Sequence, residues 1–176
     1  MNAILMVFVQ KKVIYNMDEY RRIYENNKRL DITFFERYQN TPDFFKKNCI
    51  ELLVELGEFA NETKCFKYWS IKEPNKEKIL EEYADCITMV LVFFNISNLE
   101  IEEYYNHIES KNLLDVLNHL YELSVTLMNN YSTQTVKDIF GNLLYVGEIL
   151  NLKQEEIINS IDEKYKIIEK RLNSEY

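Results

Sequence analysis

The chain has 176 residues and a mass of 21.3 kDa, the size of one ordinary domain. With 29 Asp and Glu against 21 Lys and Arg, its net charge of -8 argues against nucleic-acid binding through a basic face. Hydrophobic residues at 47% supply a core, while only 3 Gly and 2 Pro leave few sharp turns, which favours helices over a many-turned β fold.

Residues 1–16 stand apart, with an apolar run at 3–9 followed by Lys11 and Lys12. They read as an N-terminal extension, either a short strand or a segment preceding a second start at Met17, which leaves 17–176 as a single domain. No basic segment precedes the apolar run and no small-residue cleavage site follows it, so a secretory signal is not expected. No apolar stretch approaches the roughly 20 residues of a bilayer-spanning helix. Cys49, Cys65 and Cys86 have no paired spacing and suit a reducing compartment. The expected location is the cytoplasm, with no membrane partner.

From Asp18 the pattern turns helical, because Tyr20, Ile23, Tyr24, Asn27, Leu30 and Phe34 recur at three- and four-residue steps. That helix is expected to end near Tyr38. Thr41 followed by Pro42 predicts the next start, with Thr as the cap and Pro at the first helical position. This second helix runs to about Asn61, with Leu52, Leu53, Leu56, Phe59 and Ala60 on its apolar face and Glu51, Glu55, Glu58 and Glu62 in a stripe beside it. Residues 63–75, which include Trp69, Ser70 and Pro74, read as a loop. A third helix over 76–95 carries Ile79, Leu80, Tyr83, Ile87, Val90 and Phe94 and becomes apolar almost all round after Tyr83, which places it at the centre of a bundle. Further helices are expected at 98–110, 112–130, 133–151 and 154–172, with Asn98, Ser132 and Asn151 as caps or breaks. The fold expected is an all-α bundle of about six to seven helices.

Two acidic pairs carry the chemistry. Glu55 and Glu58 are three residues apart, as are Glu82 and Asp85, so each pair projects from one face of its helix. In so acidic a chain this spacing alone proves little, and the first pair reads equally as a solvated stripe. Asp85 is different, being the only charged residue between Tyr83 and Asn95. A buried ionised carboxylate is costly unless paired or bound to a metal. A Lys or Arg could serve, but Glu82 one turn earlier adds a second negative charge and favours a divalent ion. Four carboxylates from two facing helices, without His or Cys, form an oxygen-only site suited to Mg²⁺ or Mn²⁺. A di-iron bundle needs Glu-x-x-His pairs, and neither His107 nor His119 follows an acid at that spacing.

The segment ELLVELGEFANETKCFKYWS, followed after a short gap by ILEEYADCITMVLVFF, resembles the dimeric all-α dUTPase family of the MazG-like superfamily of nucleoside triphosphate pyrophosphohydrolases. The matching features are E-x-x-E at Glu55 and Glu58, the Asn-Glu-Thr and Cys-Phe-Lys-x-Trp-Ser runs, and E-x-x-D at Glu82 and Asp85, in family order. The resemblance covers most of residues 18–176. It implies a Mg²⁺-dependent enzyme that hydrolyses dUTP to dUMP and pyrophosphate, with Glu55, Glu58, Glu82 and Asp85 as metal ligands and Glu55 also orienting or deprotonating the attacking water. Clustered metal ions suit this chemistry, since they neutralise the phosphate oxygens and place a water in line. The resemblance also makes Lys64 and Lys67 phosphate contacts, Asn61 a pocket hydrogen-bonder, and Trp69 an aromatic wall for the nucleoside. Without it, Trp69 would read as a core indole.

The family's C-terminal motif is matched at Lys164, Arg171 and Tyr176, which are implied substrate contacts. Tyr165, Ile168, Leu172 and Glu175 stand where the family has Asn, Asn, Gln and Gly, and Asn27 stands where a base-reading Gln is expected. Ile168 continues the apolar stripe of Ile157, Ile161, Tyr165 and Leu172, as a binding position turned to packing. The phosphate machinery thus reads as intact and the base-reading end as altered. The alternatives to a dUTPase, which would also take dUDP, are a hydrolase of a broader or different set of nucleoside triphosphates and an inactive binding homologue. The family also implies a homodimer, and Tyr104, Tyr105, Tyr121, Tyr131 and Tyr145 offer large amphipathic side chains that suit either its interface or simply the core boundary.

Overall fold

A computed structural model describes residues 15–103 and 105–174, and among them every regular element is a helix. The order is α1 (Met17–Tyr38), α2 (Phe44–Thr63), α3 (Lys76–Ile96), α4 (Leu113–Asn129), α5 (Thr133–Ile149) and α6 (Gln154–Asn173). Of the expected N-terminal extension, residues 1–14 lie outside the described residues. Tyr15 and Asn16 dock on the start of α6, where the Tyr15 hydroxyl donates to the Leu152 carbonyl at 3.0 Å and the Asn16 amide to Gln154 Oε1 at 2.8 Å.

Short polar side chains start most of these helices. Asn16, Asn75, Asn112 and Ser132 each accept from amides of the first turn, which satisfies donors that have no partner within the helix. The expected break residues Asn98 and Asn151 take up left-handed backbone, with φ of 49° and 52°. Leu99 N donates to Phe94 O and Leu152 N to Gly147 O, so both α3 and α5 end in Schellman motifs in which Asn takes the place usual for glycine.

The α3 helix sits at the centre, as its apolar sequence implies, and packs against α1, α2, α5 and α6. The α2 and α3 helices run antiparallel, since Phe45 meets Phe93 at 5.7 Å at one end and Phe59 meets Tyr83 at 5.7 Å at the other. A knot of edge-to-face rings fills the interior, with Phe140 of α5 touching Tyr20 at 5.9 Å, Phe94 at 5.2 Å and Tyr105 at 5.0 Å.

Two expectations are corrected. The α2 helix begins at Phe44 and not at Pro42, because Thr41 and Pro42 belong to a tight turn closed by Phe44 N donating to Thr41 O at 3.1 Å. The cap position falls to Asp43, at φ 57°, whose side chain makes no capping bond. The described residues of 98–110 form no helix but a loop. Its helix-like spacing of Ile101, Tyr105 and Ile108 serves as a row of anchors, and its backbone is satisfied from outside. Arg21 Nε donates to Ile101 O at 3.0 Å, the Tyr24 hydroxyl to Leu99 O at 2.7 Å, and Ile108 N to Asn142 Oδ1 at 3.1 Å. Side chains of α1 and α5 thus replace the bonds a helix would have made with itself. Tyr105, with 7% exposure, takes the core alternative of the two open to it, while Tyr104 lies outside the described residues.

The loop comes so close to α5 that Gly141 has no room for a side chain. An added Cβ would sit 2.8 Å from Tyr105 Cβ and closer still to the Asn106 carbonyl. Gly141→Ala is therefore expected to cost about 2 kcal/mol or more, because backbone must move to admit one methyl. Urea denaturation measures this, and a variant as stable as the parent would mean that the loop packs less tightly than described.

Candidate active site

The acidic pairs face each other across the antiparallel α2 and α3. One ligand oxygen from each of Glu55, Glu82 and Asp85 lies within 4.8 Å of the others. Glu58 projects into solvent one turn along α2 and stays outside this trio, though near enough that its charge raises the pKa of Glu55, Glu82 and Asp85. Asp85 is 8% exposed, as an acid in an apolar helix implies. Its counter-charge comes from α6, where Lys164 Nζ donates to Asp85 Oδ2 at 2.5 Å. The lysine considered from the sequence as a partner for Asp85 is thus the same residue that the C-terminal motif marks as a substrate contact.

One ammonium does not balance the group. Glu55 Oε2 and Asp85 Oδ1 are buried without a hydrogen-bond partner. Burial pushes the Glu55 carboxyl up to about 7, helped by the Asp85 charge and opposed by Lys164. Asp85 and Glu82 are also raised, burial being the largest cause for both. Clustered carboxylate oxygens with orphaned lone pairs and too little positive charge match the donor set of a hard divalent cation.

Glu55 and Asp85 also line a cavity of about 530 Å³ enclosed by α1, α2, α3 and α6. Its wall is mostly apolar, with Phe34, Phe44, Met89, Val92, Ile168 and Leu172, while Lys47, Glu51, Lys164 and Arg171 bring charge to it. Ile168 and Leu172, where the family has polar residues, line this cavity, and Ile168 also packs against the core.

The other expected contacts are spread more widely. Asn27 spends its amide on its own helix, donating to Ile23 O at 2.9 Å, and is not part of the cavity wall. Asn61, Lys64, Lys67 and Trp69 lie beyond the acids, at the end of α2 and in the loop that follows. Asn61 Nδ2 donates to Glu62 Oε1 at 3.2 Å, Lys64 Nζ binds the Glu73 carbonyl, and Lys67 Nζ stands 5.7 Å from the Phe66 ring centre. Trp69 is 61% exposed and meets Tyr68 edge-on at 4.9 Å, so it is not a core indole. Tyr176 lies outside the described residues. His107 stacks on Tyr145 at 3.9 Å and His119 pairs with Glu122 at 3.8 Å, so both histidines are engaged away from the acids.

One cavity residue escapes a reading of the sequence. Asp31, on α1, is 5% exposed and accepts at Oδ2 from Asn95 Nδ2 at 2.7 Å and from the Tyr165 hydroxyl at 3.2 Å. The available signal is its position four residues after Asn27 and seven after Tyr24, on the stripe that α1 buries.

An all-α bundle with clustered acids from two antiparallel helices, opening on a nucleotide-sized cavity, defines an enzyme of the nucleotide pyrophosphohydrolase class. The chain belongs to the dUTPase family, whose model matches residues 19–176. The fold agrees with the MazG-like superfamily. No curated protein matches the chain. Among the described residues, no helix is long and apolar enough to cross a membrane.

Proposed function

We propose that the protein is a Mg²⁺-dependent dUTP diphosphatase that hydrolyses dUTP to dUMP and pyrophosphate, with Mn²⁺ as a substitute. The observation that carries this reading is the convergence of Glu55, Glu82 and Asp85, two of which, Glu55 and Asp85, line the cavity, in a chain of the dUTPase family. These three acids would hold the ion, with Glu58 as the fourth ligand. When bound, Mg²⁺ supplies neutralisation of the phosphate oxygens and acidifies a water. Glu55, whose Oε2 is buried and unpartnered, would orient the attacking water and accept its proton.

The cavity would receive the nucleoside, with its apolar wall excluding water from the base. Lys164 and Arg171 would supply positive charge beside the acids, and Lys64 and Lys67 would meet the phosphates at the far end of α2. Trp69 and Asn61 would act beside those lysines only if the loop after α2 folded over the bound nucleotide, Asn27 would have to give up its bond to Ile23 O to reach the base, and Tyr176 would complete the C-terminal contact. The enzyme would work as a homodimer in the cytoplasm, and light scattering that gives a monomer at micromolar concentration would overturn the dimer.

The test is pyrophosphate release with Mg²⁺ from dUTP, dTTP, dCTP, dATP, dGTP and UTP, with Glu58→Gln as the blank. Turnover confined to dUTP is expected, abolished by EDTA, restored by added Mg²⁺, and absent in Glu58→Gln with unchanged circular dichroism. Ile168 and Leu172 on the cavity wall favour a second reading, a pyrophosphohydrolase of broader base tolerance, which turnover of several nucleotides would support. No release from any of them would leave an inactive binding homologue.

A further inference from the structure

The loop between α2 and α3 carries apolar side chains that the fold leaves uncovered. Tyr68 is 95% exposed and Ile71 98%, and neither they nor Phe66 and Trp69 join the core. Apolar burial therefore does not hold this segment in place. Tight turns shape its first half, where Lys67 N donates to Lys64 O and Ser70 N to Lys67 O, both at 2.9 Å. Among the described residues, two side chains join residues 71–74 to that first half. Ser70 Oγ accepts from Lys72 N at 3.3 Å, and Lys64 Nζ donates to Lys72 O at 3.4 Å and to Glu73 O. The serine bond spans 2 residues, whereas the lysine bonds span 8 and 9, so Lys64 is what closes the loop.

Two further features single out this lysine. It ends α2 in left-handed backbone, at φ 56°, where glycine or asparagine is usual and a lysine carries strain. Its ammonium also forms no ion pair among the described residues, in a chain with 29 acids, and its acceptors are neutral carbonyls. A phosphate oxygen is the stronger acceptor for an ammonium, because both partners then carry charge. Lys64 follows Glu58 by six residues on the same helix, about 9 Å along its axis. A phosphate chain anchored at the acids would extend toward it.

We propose that Lys64 is a positioning residue for the loop that carries Trp69, its ammonium latching the Lys72 and Glu73 carbonyls until a polyphosphate captures it and frees the loop. The proposal rests on the reading that nucleotide phosphates bind at the acids. The ammonium exchanges two carbonyl acceptors for phosphate oxygens and keeps its charge throughout. Because it cannot hold both sets of acceptors, the latch opposes phosphate binding, and by reciprocity phosphate binding weakens the latch. Contact with the phosphates at the end of α2 and release of Trp69 thus become one event.

Trp69 is the one tryptophan of the chain, so its emission reports the loop without turnover. The probe is inorganic pyrophosphate with Mg²⁺. Lys64→Asn removes the ammonium but keeps a residue at ease in left-handed backbone, so α2 ends as before. In the parent, saturating pyrophosphate is expected to shift Trp69 emission and to speed chymotrypsin cleavage at Tyr68 and Trp69 by roughly fivefold. Lys64→Asn should show both changes before any pyrophosphate is added and respond no further to it. Lys64→Arg, which can also bond two carbonyls, should restore the behaviour of the parent. Emission that pyrophosphate leaves unmoved in the parent, a free Lys64→Asn protein cut no faster than the parent, or a pyrophosphate response that survives in Lys64→Asn would overturn the proposal. Hydrolysis of dUTP by a parent whose loop ignores pyrophosphate leaves the activity standing and removes the latch. A latch that opens in a protein that hydrolyses no nucleotide does the reverse.

Discussion

Replacing Glu55 with Gln is expected to lower dUTP turnover on the order of a thousandfold while making the metal-free protein more stable at pH 8. On the function proposed, the loss would follow from removing both a ligand oxygen and the proton acceptor beside the attacking water. The gain follows from the state of the group without metal. Glu55 Oε2 is buried and unpartnered, and its carboxyl is raised from the ordinary glutamate value to about 7 by burial, then by the Asp85 charge. A carboxyl raised in the folded state adds stability that is fully present below its unfolded pKa and lost as pH climbs through the folded one. By pH 8 that stabilisation is gone, whereas Gln carries no charge to bury and can donate its amide toward Asp85. The variant should match the parent at pH 5 and exceed it by about 1 kcal/mol at pH 8, a figure reduced because Glu55 is only half-buried. Pyrophosphate release and urea denaturation in EDTA at both pH values measure the two effects. A variant less stable than the parent at pH 8 would show that Glu55 is not strained in the metal-free fold.

Such strain is legible in a sequence only where local pattern reports it. Asp85 was visible because a single acid interrupts an apolar helix, so burial could be read from the neighbours on the same turn. The α1, α3, α4, α5 and α6 helices were visible for a similar reason, since their apolar faces repeat with the helical period and Asn or Ser starts most of them. The 98–110 loop shows where that logic stops. Ile101, Tyr105 and Ile108 have helical spacing, but their partners lie on other elements, and tertiary hydrogen bonds from Arg21, Tyr24 and Asn142 outweigh the local preference. Thr41 and Pro42 suit a turn as well as a helix start, and the turn that joins α1 to α2 prevails. Asp31 was missed because Leu30 beside it took the apolar stripe on to Phe34, while its partners Asn95 and Tyr165 are remote in sequence. The cavity was not legible at all, being formed by four helices whose contacts no local spacing encodes.

Lys164→Met is expected to destabilise the metal-free protein by about 2 kcal/mol at pH 8 and to increase the stabilisation that Mg²⁺ provides. Lys164 Nζ lies 2.5 Å from Asp85 Oδ2, with the lysine side chain 24% exposed and the aspartate 10%, so the pair is partly buried and its loss is smaller than for a fully enclosed one. Lys164 lowers the pKa of both Asp85 and Glu55, and without it both carboxyls rise further. By the same linkage the variant loses stability more steeply between pH 5 and pH 8, so the gap to the parent is small at pH 5 and widest at pH 8. In the parent, an ion binding at Asp85 Oδ2 must displace the ammonium from that oxygen, and in the variant nothing competes. Mg²⁺ should therefore bind more tightly to Lys164→Met by calorimetry and raise its melting temperature by more, even as turnover falls for want of a charge beside the phosphates. Weaker Mg²⁺ binding in the variant would rule out competition between lysine and metal for Asp85. The expected pattern would make Lys164 the resident counter-charge of the acids, released to the phosphate chain when the ion takes its place, which links the C-terminal helix to the metal-binding step.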